Sequence, residues 1–150
     1  MSNGRFYESQ FEEATIELLR ESHWQYTFGD DIHRKYTDPL IEEDLRTFLA
    51  AQYKDKKLTA SEVDGIVANL RNTGGQNDYY ALQNTFLLYR DGYDFTYSDG
   101  RDNPFRLQYI DFEHPDHNIF RCVNQFVMEQ GRENRRPDIL LFVNGIPVCI

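Results

Sequence analysis

The chain has 150 residues, of which 40% are hydrophobic and 15% aromatic, so it can bury the core of one domain and is too apolar for an intrinsically disordered segment. Its formal net charge of −9 argues against strong nonspecific binding to DNA. No apolar run reaches membrane-spanning length and no secretory leader is visible, so we expect a cytoplasmic protein without a membrane partner. Cys122 and Cys149 lie in apolar strand sequence, and we expect both as buried, reduced thiols.

The first 92 residues are predicted to be mainly helical. Apolar residues recur at helical spacing, and each helix has a start or stop signal, such as the capping box Thr59-Ala60-Ser61-Glu62 or the glycine at Gly92. A short extended piece, Trp24-Gln25-Tyr26, follows the first helix. The predicted helices cover Glu8 to about Arg20, a segment starting at Asp38-Pro39, a segment starting at the capping box, and about Asp78 to Arg90.

From Tyr93 onward the apolar period changes to two, which is typical of strands. Short strands are expected around Tyr93–Tyr97 and Phe105–Tyr109. We predict one long strand from Ile119 to Glu129, paired with a strand that begins at Asp138. Asn144-Gly145 predicts a type I′ turn, because such a turn needs positive φ at both central residues. The two strands that this turn joins are apolar at nearly every position, so we expect both of their faces to be covered.

The block Arg136-Pro137-Asp138, followed by Ile-Leu-Leu-Phe-Val-Asn-Gly-Ile-Pro-Val, resembles the N-terminal nuclease region of the R (restriction) subunit of type I restriction–modification enzymes, in the PD-(D/E)xK superfamily. The resemblance is close from about Asp91 and looser before it. Further blocks that carry it are Ile110-Asp111-Phe112, Asn118, Phe120, Val123-Asn124-Gln125-Phe126 and Phe11-Glu12-Glu13-Ala14.

This resemblance implies an α/β, restriction-endonuclease-like fold: a central mixed sheet flanked by helices, with a helical insertion, incomplete at the C-terminus. Residues 1–150 would be an N-terminal endonuclease domain fragment, with a helical part at about 8–92 and a sheet part at about 93–150. The implied activity is Mg²⁺-dependent hydrolysis of double-stranded DNA. The implied partners are DNA and the modification and specificity subunits.

The resemblance also assigns roles to residues. Asp138 would be the catalytic metal ligand, although an aspartate at a strand start can instead cap a turn. Glu12 would be the acidic residue of the first helix, with Glu13 as the alternative; a solvated helix face explains either glutamate equally well. Arg132, Arg135 and Arg136 could bind DNA phosphates, or could pair with nearby acidic residues as a structural network.

His114 and His117 have a spacing that suits a metal, but two histidines without a third ligand are a weak signal.

The superfamily pairs the Pro-Asp carboxylate with a Glu-x-Lys element, which in this family follows about fourteen residues later. The chain reaches only Ile150, so we expect the fragment alone to be inactive. No Gly-x-x-x-x-Gly-Lys loop is present, so ATP would serve only the full-length subunit. Two alternatives stay open here. One is a non-catalytic, nuclease-like docking module that binds a partner subunit or DNA, and the other is a nuclease of the same superfamily outside restriction.

Overall fold

The computed structural model describes residues 7–150, which form four α-helices and eight strands. The helices are α1 (Glu8–Glu21), α2 (Glu42–Gln52), α3 (Ala60–Arg71) and α4 (Asp78–Asp91). The strands are β1 (Gln25–Phe28), β2 (Tyr93–Phe95), β3 (Phe105–Leu107), β4 (Phe120–Asn124), β5 (Met128–Gln130), β6 (Glu133–Arg135), β7 (Ile139–Val143) and β8 (Ile146–Cys149). None of these helices combines the length and apolar character that a membrane span requires.

The chain divides into two compact units. The sheet unit comprises the residues up to Ile41 together with Ile119–Ile150, and the helical unit comprises Glu42–Asn118. The sheet unit contains a four-stranded mixed sheet in the order β1-β4-β7-β8, in which β1 runs parallel to β4 and the other neighbours are antiparallel. The expected α/β class with a mixed sheet is therefore confirmed.

The core of the sheet unit lies on the two central strands, β4 and β7. Val123 and Leu140 occupy paired positions on these strands, and both are almost fully buried. Phe126 and Phe142 complete the cluster with ring centroids 5.1 Å apart, and Ile41 packs against it. Burying each such side chain contributes about 1.5–3 kcal/mol, so this cluster fixes the geometry of the strand ends beside it.

The β7–β8 hairpin has the predicted type I′ turn, with φ of 52° at Asn144 and 76° at Gly145. The turn is buried and bonds to distant parts of the chain. The Asn144 side chain accepts a hydrogen bond from the Ile119 N–H at 2.7 Å, and the Ile41 N–H donates to the Gly145 carbonyl at 2.9 Å. The chain leaves the sheet unit after Ile41 and returns to it at Ile119. The turn therefore hydrogen-bonds to both residues at which the sheet unit is interrupted.

The helical unit packs α2 and α3 around the buried side chains of Leu45, Leu49 and Ile66. The predicted capping box is present, with the Glu62 N–H donating to the Thr59 hydroxyl at 3.2 Å. Arg101 donates to both carboxylate oxygens of Glu62 at 2.7 Å, which lowers the pKa of Glu62 to about 2. The third helix follows this capping box and the fourth ends at Gly92, both as expected.

Several expectations about the elements were wrong. The second helix begins at Glu42 rather than at Asp38-Pro39, because the Asp38 carboxylate accepts the Leu40 N–H and closes a turn there. The predicted strand from Ile119 to Glu129 is broken at Gln125, whose φ is 55°, and its second half pairs with β6 instead. Among the residues that the structure describes, strands β2 and β3 form a two-stranded sheet of their own, separate from the mixed sheet.

The end of β8 also differs from the expectation. Strand β8 is an edge of the sheet, and Val148, Cys149 and Ile150 are exposed, so its faces are not both covered. Cys122 is a buried free thiol as predicted, and burial raises its pKa. Cys149 is a free, exposed thiol instead, on a strand that pairs with β7 alone among the described residues.

Candidate active site

Glu12 projects from α1 toward the end of β4, where two side-chain amides hold its carboxylate. The Asn124 Nδ2 donates to Oε1 at 2.8 Å, and the Gln125 Nε2 lies 3.3 Å from each carboxylate oxygen. Hydrogen bonds to a charged group are worth about 1.5–3 kcal/mol each when well formed. The half-buried carboxylate is therefore held in one orientation, as a preformed ligand group would be.

Tyr26 on β1 orients one of these amides. Its hydroxyl donates to the Asn124 Oδ1 at 2.8 Å, which leaves the Asn124 Nδ2 pointing at Glu12. The pKa of Tyr26 is raised, first by burial and next by the negative charge of Glu12, so the hydroxyl keeps its proton as the donor. The register of β1 on β4 places Tyr26 beside Cys122 and brings Phe28 level with Asn124.

Asp138 lies at the same end of the sheet, one residue before β7. The register pairs Asn124 with Ile139, and the Gln125 N–H donates to the Asp138 carbonyl at 3.2 Å. Gln125 thus bonds to Glu12 through its side chain and to Asp138 through its backbone. The Asp138 side chain is exposed. Within residues 7–150, neither Glu12 nor Asp138 is paired with a cationic side chain.

Two backbone features shape this end of the sheet. Gln125 has a positive φ of 55°, which stops β4 and turns its side chain toward α1. Gly29 packs so closely on the same backbone that a Cβ atom there would lie 2.8 Å from the Asn124 carbonyl oxygen and closer still to that of Gln125. Glycine is therefore required at position 29 for this close approach.

A groove of about 710 Å³ runs along α1 beside this site. Glu12 and Asn124 line it, whereas Asp138 does not. Glu13, the alternative to Glu12, also lines the groove, but the amides of Asn124 and Gln125 bond to Glu12. The residues that line the groove are Ser9, Glu12, Glu13, Ile16, Glu17, Arg20, Glu21, Tyr26 and Asn124.

The three arginines lie on and around the two-stranded ribbon of β5 and β6. Strand β6 contains Arg135, Arg132 precedes it in the turn, and Arg136 follows it. All three side chains are exposed. Among the described residues, the only ion pair that involves them joins Arg135 to Glu133 at 3.6 Å, and exposed pairs of this kind contribute little. The guanidinium groups therefore remain available to an anionic ligand.

Sequence reasoning singled out Glu12 and Asp138 but missed Tyr26, Gly29, Asn124 and Gln125 as the residues that hold them. A signal was present in the sequence. Asn124-Gln125 places two polar amides directly after the buried run Cys122-Val123, and such residues at a strand end often position a site. The identity of their partner depends on α1 packing against β4, which is a long-range contact.

The comparisons with known proteins agree on one family. Residues 5–150 match the family model described as "Type I restriction enzyme R protein N terminus". The chain is 28% identical over 153 residues to the "Type I restriction enzyme HindI endonuclease subunit" of Haemophilus influenzae, an alignment that covers 95% of this chain. It is 28% identical over 156 residues to the "Putative type I restriction enzyme MjaIXP endonuclease subunit" of Methanocaldococcus jannaschii, with 93% of this chain covered. Each alignment covers 14% of the relative's length.

Proposed function

Because this chain belongs to the family of type I restriction enzyme R protein N termini, we propose that it contributes two acidic residues to the DNA-cleaving site of such a subunit. The observation that carries the proposal is the convergence of Glu12 and Asp138 on Gln125, at one end of the mixed sheet. The bonds of Gln125 thus link the Glu12 carboxylate to the Asp138 backbone, although most of the chain separates these two residues.

The arrangement fits a hard divalent cation such as Mg²⁺. This ion binds through one or two carboxylates and keeps several waters, so the half-buried Glu12 carboxylate suits it, together with the exposed Asp138, a residue at the same end of the sheet. The side chains of Asn124 and Gln125 are neutral donors, so they hold the Glu12 carboxylate without neutralising its charge. A bound ion would supply an activated water and would stabilise charge on the phosphate during hydrolysis.

The chain's own residues would do the positioning. Tyr26 and Asn124 hold the Glu12 carboxylate from the β1 side, while the backbone bond from Gln125 fixes the start of β7 and with it Asp138. Arg132, Arg135 and Arg136 would bind phosphates of double-stranded DNA, since guanidinium groups bind phosphate oxygens in pairs. Contact limited to this ribbon is consistent with the net charge of −9.

The aligned relatives are much longer than this chain, and we extend the proposal to a whole subunit of that kind. A Glu-x-Lys element would complete the site, an ATP-driven translocase would lie elsewhere in the subunit, and modification and specificity subunits in the cytoplasm would be the partners. The residues from Asp138 to Ile150 contain no Glu-x-Lys. We therefore propose that the 150-residue chain alone does not cleave DNA.

The test is Asp138→Asn in the full-length subunit, assembled with its partner subunits. We expect cleavage of duplex DNA to fall by at least about a hundredfold, because the metal loses a charged ligand, while ATP hydrolysis continues. Asp55→Asn is the matched control, since it removes the same charge from an exposed position of the helical unit. Cleavage at the wild-type rate by the Asp138→Asn subunit would overturn the proposal and would favour a nuclease-like docking module.

A further inference from the structure

A second group of ligand atoms lies in the helical unit, in the loop from Asp111 to Asn118. The Asp111 carboxylate is buried, and the Nδ1 atoms of His114 and His117 lie 3.7 and 3.0 Å from its Oδ2. The two imidazole rings are nearly parallel, with centroids 4.9 Å apart. One ligand atom from each of the three residues lies within 4.8 Å of the other two.

The loop is held rigidly before any ligand arrives. The Asn118 side chain accepts the Asp111 N–H at 2.9 Å and donates to the Asp111 carbonyl at 2.8 Å, which closes the loop on itself. Backbone N–H groups of Glu113 and His114 donate to the Asp111 Oδ1 at 3.0 and 2.9 Å. The bond from the His114 N–H is the main reason that the pKa of Asp111 falls to about 2.

These bonds leave Oδ2 directed at the two histidines. Each carboxylate oxygen has two lone-pair sites, and both sites of Oδ1 are filled by backbone donors. The Gln52 Nε2 donates to Oδ2 at 2.8 Å, which orients it, and the remaining site faces the imidazole of His117. An outer residue that orients a carboxylate in this way is typical of metal centres.

We propose that Asp111, His114 and His117 form a binding site for a first-row divalent transition ion such as Zn²⁺. A tetrahedral ion about 2.0–2.1 Å from its ligands separates them by about 3.3–3.4 Å. The observed separations of 3.0 and 3.7 Å bracket that value, so small side-chain rotations bring both histidines into range. The two imidazole rings are exposed to solvent, so water would occupy the fourth coordination position of the ion.

Ligand chemistry separates this site from the one proposed at Glu12 and Asp138. Imidazole suits zinc and its neighbours, whereas carboxylate oxygen and water suit magnesium. In the absence of metal, the His117 Nδ1–H would donate to the Asp111 Oδ2. On binding, Nδ1 supplies its lone pair to the ion and the ring carries its proton on Nε2, so the neutral tautomer changes and no further group is needed.

The experiment titrates the purified, reduced 150-residue chain with Zn²⁺ in competition with a chromophoric chelator, with millimolar Mg²⁺ present. We expect one ion per chain with a dissociation constant in the micromolar range or tighter. His114→Gln and His117→Gln should each weaken binding by at least about tenfold. Both side chains are exposed, and only that of His117 lies within hydrogen-bond distance of Asp111, a bond that glutamine can replace. The variants should therefore fold as the parent does, which circular dichroism checks.

Two controls make the result specific. His33→Gln removes an exposed histidine of the sheet unit, and Cys149→Ser removes the exposed thiol, so both variants should bind Zn²⁺ as the parent does. Bound zinc should also raise the melting temperature of the parent but not of His117→Gln, because it binds the native state only. The proposal is overturned if the parent shows no saturable binding, if the two loop variants keep full affinity, or if Cys149→Ser loses it.

Discussion

Glu12 and Glu13 are neighbours in sequence with the same chemistry, yet their surroundings differ. Glu12 is half-buried and accepts hydrogen bonds from Asn124 and Gln125, while Glu13 is exposed. A carboxylate held by neutral amides keeps its charge and loses its rotational freedom, so little ordering is needed when a cation binds. The helical spacing of the sequence cannot separate Glu12 from Glu13, since both side chains could face a groove.

This difference predicts unequal effects of two matched substitutions in the full-length subunit. Glu12→Gln removes the charge of the held carboxylate and should lower DNA cleavage by at least about tenfold, with a higher Mg²⁺ requirement. Glu13→Gln removes the same charge one residue away and should leave both unchanged. The measurement is the initial cleavage rate as a function of Mg²⁺ concentration. Equal losses in the two variants would contradict the assignment of Glu12.

Among the elements, the turn Gly29–Asp31 and the end of β4 act as one support. The turn approaches the Asn124–Gln125 backbone too closely for a side chain at Gly29. Because Gln125 bonds to the Glu12 carboxylate and to the Asp138 carbonyl, a shift of this backbone would disturb Glu12 and the start of β7 together. The support would thus position the proposed site through the backbone alone.

We therefore expect Gly29→Ala to impair cleavage and stability together. The added Cβ must displace the Asn124 carbonyl, and overpacking of this kind costs about 1–3 kcal/mol. Cleavage by the full-length subunit should fall with it, because misplacement by about 1 Å can cost about a hundredfold in rate. Gly65→Ala is the control for an added Cβ in the helical unit, because nothing lies within 4 Å of that position and its φ is not left-handed. Thermal unfolding of the 150-residue chain and cleavage assays measure the two effects, and an unchanged Gly29→Ala variant would refute the role of the support.

At the scale of the whole molecule, charge would limit how the proposed DNA ligand can approach. The net charge of −9 repels a polyanion, while Arg132, Arg135 and Arg136 present exposed cations on the β5–β6 ribbon. Nonspecific affinity comes from the number of phosphates neutralised, so three arginines support only weak binding by this chain. Most of the affinity for DNA would then come from other parts of the subunit and its partners.

Replacement of all three arginines by glutamine in the full-length subunit should reduce the salt dependence of DNA binding. If each arginine neutralises one phosphate, the slope of log affinity against log salt concentration should become smaller by up to about 2.7. Lys35→Gln with Lys54→Gln is the control for lost positive charge elsewhere, because both lysines are exposed. Fluorescence anisotropy with labelled duplex measures the slopes. A slope that does not change would show that the ribbon does not contact the backbone.

The sequence by itself determined the features that short-range chemistry controls. The capping box at Thr59, the stop at Gly92 and the turn at Asn144-Gly145 were predictable, because each depends on the backbone preferences of a few adjacent residues. The motif around Asp138 also gave the family, which the comparisons then showed.

Only the tertiary structure decided which residues meet. The break at Gln125, the separate β2–β3 pair and the exposed end of β8 follow from strand pairing, which depends on partners far along the chain. Sequence reasoning considered the two loop histidines without Asp111, because the third ligand atom is brought to them by the hydrogen bonds that close the loop. The link from Glu12 through Gln125 to the Asp138 backbone likewise has no local signature, since it arises from α1 packing on a sheet whose strands β4 and β7 lie far along the chain.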